Sequence, residues 1–295
     1  MDRVLISGAS GLIGSALVPS LEQMGVEVVR LVRGPARNAG QISWNPMEDM
    51  EPAAMSGFSA VIHLAGESVV GRWTAAKKRT IRESRVRGTQ GLAHALAQAE
   101  SKPRLFVCAS AIGFYGDCGD EILSEESARG SGFLSEVSRE WEAASGIAVE
   151  AGIRRVNLRI GLVLSAKGGA LAKMLPAFKL GLGGRLGSGE QWWSWIHLDD
   201  LVGAIHHVMQ SEALSGPVNL VAPNPVRNAD FTKTLASVLG RPAFFSVPAF
   251  AVRFGLGEMA QELMLASQRV EPTKLKASGY RFQFQDLRTA LEDLV

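Results

Sequence analysis

Two cysteines in 295 residues, Cys108 and Cys118, exclude a disulfide framework and a cysteine-based metal cluster, and point to a reducing compartment. No metal centre is expected. No dense block of lysine or arginine occurs and the formal net charge is only +2, so nucleic acid is not an expected partner. No apolar run reaches the roughly 18 residues that a membrane span needs, and a membrane is not expected either. A strand-like run begins at Arg3, leaving no room for a signal peptide, and cytoplasm is the expected location. Internal repeats and low-complexity tracts are missing. Tyrosine is scarce too, with Tyr115 and Tyr280 alone, and neither is followed by lysine four residues later.

What is present is an ordinary globular composition, 46% hydrophobic and 20% charged, in a chain long enough for a large core. Its most informative stretch is Arg3 to Gly14, RVLISGASGLIG. Val4-Leu5-Ile6 reads as a buried parallel strand, and a helical pattern starts at Leu12. Between them stand Gly8, Ser10, Gly11, Leu12, Ile13 and Gly14, the expected cofactor cradle. Gly8 permits the turn, Gly11 has no Cβ to block a pyrophosphate, and Gly14 lets the helix pack closely on the strand. The free N–H groups opening the helix receive the phosphate charge.

Strands are expected at Val26–Val32, Ala60–Leu64, Leu105–Ala109 and Arg155–Leu164, with a short extended piece at Gln41–Trp44. Helices are expected at Thr74–Ala99 and Gly132–Ala151 between them. This alternation predicts an α/β fold, a Rossmann-type doubly wound parallel sheet with a smaller, mainly helical C-terminal substrate lobe. The second strand ends in Leu31-Val32-Arg33 with Arg30 just before, and it carries no carboxylate for a ribose 2′-OH. A guanidinium there can pair with a 2′-phosphate, which favours NADP(H) over NAD(H); the alternative is a solvated loop charge.

The spacing Gly-x-x-Gly-x-x-Gly resembles the short-chain dehydrogenase/reductase (SDR) superfamily. Leu64-Ala65-Gly66-Glu67, closing the third strand, resembles the extended SDR turn over adenine and ribose. Arg85-Val86-Arg87-Gly88-Thr89-Gln90-Gly91-Leu92 is similar to a pattern on the helix beside the cofactor, with Arg85 in place of asparagine. By that resemblance Arg85 contacts a phosphate or ribose; otherwise it makes a surface salt bridge. The superfamily's usual chemistry needs tyrosine and lysine four apart on one helix face, the lysine lowering the phenol's pKa. Here that helix reads Gly132-Phe133-Leu134-Ser135-Glu136, with Phe133 or Leu134 near the tyrosine position. The standard acid/base pair is not available.

Ser110-Ala111-Ile112-Gly113-Phe114-Tyr115-Gly116 resembles the segment in which an extended SDR serine polarises the substrate carbonyl. Ser110 matches that serine, one residue too far from Tyr115, and is otherwise a turn hydroxyl. Tyr115 is either a substitute acid or a packing residue. Together with Trp141-Glu142, Arg159-Ile160-Gly161-Leu162-Val163-Leu164, Gly187-Ser188-Gly189, Trp195-Ile196-His197-Leu198-Asp199-Asp200 and Asn219-Leu220-Val221-Ala222-Pro223, these segments identify the chain as a member of a branch of the NAD-dependent epimerase/dehydratase superfamily. This branch, the sugar-nucleotide-epimerase-like epimerase family proteins, lacks the tyrosine–lysine pair.

The resemblance implies an NADP-binding domain over 1–165 with its sheet completed by about 195–223, a glycine-rich substrate lid at 166–194, and a helical cap at 224–295. It also places Leu162 and Val163 near the nicotinamide. Trp192, Trp193 and Trp195 either stack a base or sugar or fill the core. Glu67, Trp195 and His197 are candidate substrate contacts, Glu67 also a proton source, although the His197–Asp200 segment is mostly structural in the superfamily. Ala249–Ser267, with Phe254, Met259 and Met264 at roughly helical spacing, is expected as core or a subunit interface. Two copies would pair through the helices at 74–99 and 133–151. The expected activity is an NADP(H)-dependent epimerase or oxidoreductase acting on a small carbonyl, sugar or nucleotide-linked substrate; the alternative is a non-catalytic NADP(H)-binding sensor or scaffold.

Overall fold

A computed structural model of the protein describes residues 2–295. The chain runs β1 (Arg3–Ser7), α1 (Leu12–Gln23), β2 (Glu27–Val32), β3 (Gln41–Ser43), β4 (Ala60–His63), α2 (Ala75–Gln98) and β5 (Leu105–Ala111). It continues through α3 (Phe133–Ala144), α4 (Gly146–Glu150), β6 (Arg154–Ile160), α5 (Gly169–Lys179), α6 (Leu198–Gln210) and β7 (Gly216–Leu220). α7 (Asn228–Val238) and α8 (Ala249–Leu256) follow, and Leu287–Leu294 is the terminal helix. Seven strands form one parallel sheet in the order β7-β6-β5-β4-β1-β2-β3. The order reverses between β1 and β4, and such a switch point opens a crevice at the strand carboxyl ends.

Apolar residues run without alternation along the central strands because both faces are covered. Val4, Ile6, Ile62 and Val107 meet Leu17 and Leu21 of α1 and Leu201 and Ile205 of α6. On the other face Leu5, Val61, Phe106 and Cys108 meet Leu92 and Leu96 of α2 and Trp141 of α3. Each such fully buried side chain contributes about 1.5–3 kcal/mol. A separate cluster, including Leu171, Trp195, Phe231, Leu235 and Leu291, forms the core of the smaller lobe.

Three expected elements are divided. The strand expected over Arg155–Leu164 is β6 plus a second strand, Leu162–Leu164, which leaves the main sheet to pair with Trp195–His197. Gly161 makes the break: a Cβ there would lie 2.5 Å from the Ser194 carbonyl oxygen and 2.6 Å from Val221. The helix expected to Ala151 is interrupted at Ser145, whose hydroxyl donates to the Glu142 carbonyl and to Asn157. The apolar stretch from Ala249 breaks at Gly257, where φ is 62°. Met259 is buried, but Phe254 is 95% exposed, so the expected stripe is not core there.

At the switch point the ends of β1 and β4 are clasped. Ser7 Oγ and His63 Nδ1 lie 2.6 Å apart, and the same oxygen accepts the Ala65 N–H. Either tautomer leaves His63 Nε2 buried without a partner. Burial pulls the His63 pKa from 6.5 to about 4. The unfolded chain therefore binds a proton between those pH values that the folded chain refuses. Stability is complete above about pH 6.5 and falls as pH drops towards 4, by about 3 kcal/mol at the foot of the window. Urea unfolding measured across that range checks this, and the slope flattens in His63→Gln.

Candidate functional site

The first turn of α1 has neither a side-chain cap at Gly11 nor an acidic residue, so its amides face the crevice unneutralised. Gly8 (φ 72°) packs against the end of β4, and a Cβ on it would stand 2.7 Å from the Leu64 carbonyl carbon. Gly14 is closed in the same way: its Cβ would strike the Gly8 carbonyl and come 2.7 Å from Ala9 Cα. Ser10 and Gly11 are exposed on the lip of the loop. Leu12 reaches across to Gly168 and Gly169, which open α5, while Ile13 is half-buried against the core. Leu162 and Val163, both half-buried, lie on the strand that left the main sheet, close to this glycine pair.

The wall beside β4 is braced by charges. Arg85 is half-buried: its guanidinium donates to the Glu67 and Ile81 carbonyls at 2.9 and 3.2 Å and lies over Trp141. Burial lowers its pKa to about 10. Among the described residues it forms no salt bridge, contrary to the second expectation for Arg85. It holds Gly66-Glu67 in place, and a Cβ on Gly66 would meet it at 3.4 Å. The Glu67 carboxylate takes a 2.6 Å hydrogen bond from Lys77, which holds its pKa below the usual range, with Arg33 and Arg85 adding to the effect. Glu67 is thus a fixed anion, not a proton source. Arg30 forms a 2.8 Å ion pair with Glu22, so it does not point a free charge at the crevice. Arg33 is exposed and, among the described residues, forms no ion pair.

At the carboxyl end of β5, Ser110 pairs in register with Arg159 of β6. Glu142 of α3 meets both: it accepts the Ser110 hydroxyl at 2.7 Å and two Arg159 hydrogens at 2.8 and 3.0 Å. Burial alone would weaken the charge on Arg159, but the Glu142 carboxylate more than offsets it and raises the guanidinium's pKa. The Ser110 proton is therefore committed to a permanent acceptor. The oxygen can accept a hydrogen bond from a substrate hydroxyl, but cannot polarise a carbonyl without leaving Glu142.

Tyr115 is a packing residue and not an acid. Its ring is fully buried, its hydroxyl donates to Asn219 and accepts from Arg159, and burial raises its pKa, opposite to what proton exchange near neutrality requires. Leu134 packs on Gly113, while the amides of Phe133 and Leu134 donate to the Glu262 carboxylate at 2.8 and 2.7 Å.

Trp195 and His197 are core residues, not substrate contacts. Trp195 is fully buried and donates to the Asn224 carbonyl. His197 stacks on Phe284, and its Nδ1 accepts the Asp199 N–H. Atoms of His197, Asp199 and Asp293 lie within 4.8 Å of one another. Because Nδ1 is an acceptor, the ring proton sits on Nε2, which faces Asp293 at 3.3 Å. A ring in that state has no lone pair for a cation. Asp200 accepts from Tyr280, Gln283 and Phe284, tying the C-terminal segment to α6. Glu142, Arg159 and Glu262 gave no local signal of a role: their partners lie 17 to 129 positions away.

Residues 4–220 match the NAD dependent epimerase/dehydratase family, and residues 247–294 match a domain of unknown function, DUF1731. The chain is 40% identical over 290 residues to the epimerase family protein Mb2239 of Mycobacterium bovis, covering 98% of this chain and 96% of that one. Its structure resembles human epimerase family protein SDR39U1 (isoform 2) crystallised with NADPH: 34% identity, TM-score 0.92, 99% of this chain and 98% of that one. It also resembles a nucleoside-diphosphate sugar epimerase from Corynebacterium glutamicum (39% identity, TM-score 0.81), covering 98% of this chain but 57% of that one.

Glu142→Ala should strand the buried Arg159 charge and destabilise the fold by about 3–5 kcal/mol. Tyr115→Phe, which leaves two buried polar partners behind, should cost about 1–3 kcal/mol without altering NADPH affinity. Denaturant unfolding and a fluorescence titration measure the two quantities.

Proposed function

The chain belongs to the NAD-dependent epimerase/dehydratase family, and from that premise we propose that it is an NADP(H)-binding, epimerase-like protein. The observation that carries this reading is the uncapped start of α1, together with an exposed Arg33 that forms no ion pair among the described residues. The amides of Leu12, Ile13 and Gly14 would hold the cofactor diphosphate, and the Arg33 guanidinium would hold the 2′-phosphate. The crystallised human relative contains NADPH, which supports the choice of cofactor. Bound there, the nicotinamide supplies hydride exchange with a substrate carbon.

The substrate in this reading is a small sugar, carbonyl or nucleotide-linked compound. It is seated over Ser110, beneath a lid formed by the glycine-rich segment from residue 168 to 189. The Ser110 oxygen, backed by Glu142, would accept a hydrogen bond from a substrate hydroxyl and orient the carbon that bears it. Positioning of this kind can supply a large part of a rate without a tyrosine–lysine pair. The similarity to the Corynebacterium glutamicum epimerase supports a nucleotide-linked substrate. Two free cysteines suit a reducing cytoplasm.

A second reading, a non-catalytic NADP(H)-binding sensor or scaffold, is favoured by one observation. The side chains around Ser110 partner one another: Ser110, Glu142, Arg159, Tyr115 and Asn219 form one hydrogen-bonded chain.

Arg33→Asp should weaken NADPH binding by about ten- to a hundredfold while changing NADH binding far less. Equal losses for both would remove the 2′-phosphate assignment. Stopped-flow NADPH oxidation and NADP⁺ reduction against carbonyl compounds, sugars and nucleotide sugars separate the two readings. Turnover sensitive to Ser110→Ala supports the enzyme, and tight NADPH binding without turnover supports the sensor.

A further inference from the structure

The smaller lobe carries an exposed face outside its core, part of it on the outer side of the segment proposed above as the lid. A parallel ribbon joins Gly184–Leu186 to Phe245–Val247, and α8 follows it directly. Along these elements Leu180, Phe244, Phe250 and Phe254 are 75%, 90%, 74% and 95% exposed, and Leu182 and Phe245 are more than half exposed. Phe250 and Phe254 are four residues apart on α8 and so share a face of that helix. Isolated exposed apolar residues need no explanation, but a concentration of this size marks a binding surface.

The charge of the same region is mostly of one sign, with the acids Glu190, Asp230 and Glu258 at its margins. Residues 169–189 and 231–257 contain six lysines and arginines and not one aspartate or glutamate. Of the 31 basic residues in the chain, the other 25 share the remaining 247 positions with all 29 acids. Among the described residues none of the six is in an ion pair, and the five that flank the ribbon (Lys179, Arg185, Lys233, Arg241 and Arg253) are all exposed. Between α7 and the ribbon lies a hollow of about 470 Å³ lined by Arg185, Lys233, Arg241, Ser237, Ser246 and Phe244. Guanidinium, ammonium and hydroxyl donors in one recess suit a phosphate group.

We infer that this face docks on the surface of an anionic phospholipid bilayer. Phenylalanines that stand out from the surface need an apolar medium without matching pockets, which acyl chains provide. The cations around them need an anionic plane, and lipid phosphates provide it, with the hollow taking a single headgroup. A second copy meeting this face symmetrically would bring six cations against six. Docking requires no span, and among the described residues no helix is long and apolar enough to cross a membrane. The inference departs from the expectation that a membrane is not a partner.

The full chain is tested by flotation with phosphatidylcholine vesicles, with and without about 30% phosphatidylglycerol. Partition should be about tenfold higher on the anionic vesicles and should fall severalfold in about 0.5 M NaCl. Phe250→Ser with Phe254→Ser, and separately Lys233→Glu with Arg241→Glu, should each reduce partition about tenfold while NADPH affinity stays unchanged, which confirms folding. No preference for anionic vesicles, or equal partition of the folded variants, overturns the inference. So does a dimer in sedimentation velocity that Phe254→Ser dissociates while vesicles bind nothing; that result would assign the face to a second copy.

Discussion

The close approach of β1 to β4 sets the geometry of everything around the crevice. Gly8 lies so near the Leu64–Ala65 backbone that no side chain fits between them, and the Ser7–His63 bond closes the same gap from below. That approach aims the start of α1 at the point where strand order reverses, and the uncapped amides there become an anion site because of where the sheet turns them. The cost is a buried imidazole with one unpaired nitrogen, a local weakness on which the crevice geometry rests.

Around the would-be reaction centre the structure substitutes fixed charge for mobile protons. A tyrosine–lysine pair works because the phenol can lose its proton near neutrality. Here the phenol of Tyr115 is driven the other way by burial, and the one carboxylate near Ser110 is held by Arg159 in a two-point ion pair. A buried pair of this type is a poor source of net stability but a strong determinant of position. Ser110 becomes a rigid acceptor, and any chemistry at this site must begin with a substrate that brings its own hydroxyl hydrogen or displaces Glu142.

Local patterns in the sequence were enough for the sheet and the glycine turn, because a glycine triplet between a short apolar strand and a helix is readable within a dozen residues. The register that sets Ser110 beside Arg159 was not readable, since it arises only when β5 and β6 become neighbours. The division of Arg155–Leu164 was hidden for the same reason: Gly161 is forced by Ser194 and Val221, both distant in sequence. Trp195 and His197 looked like ligand contacts because aromatic and imidazole groups serve binding sites and cores alike. Phe254 looked like core because helical spacing identifies a face but not what covers it.

The separation of roles between the two ends of the molecule follows from how the C-terminal segment is held. Asp200 takes two backbone amides and the Tyr280 hydroxyl, and the terminal helix packs on α7, so the segment's inner side is consumed in anchoring it. α8 lies beyond that anchor. It buries only Val252, while the segment after it turns back to cap α3 through Glu262. A helix that contributes a single side chain to the core yet carries two largely exposed phenylalanines adds little to folding stability. The small lobe therefore has one side consumed in anchoring the C-terminal segment and another whose apolar and basic surface no part of the described chain covers.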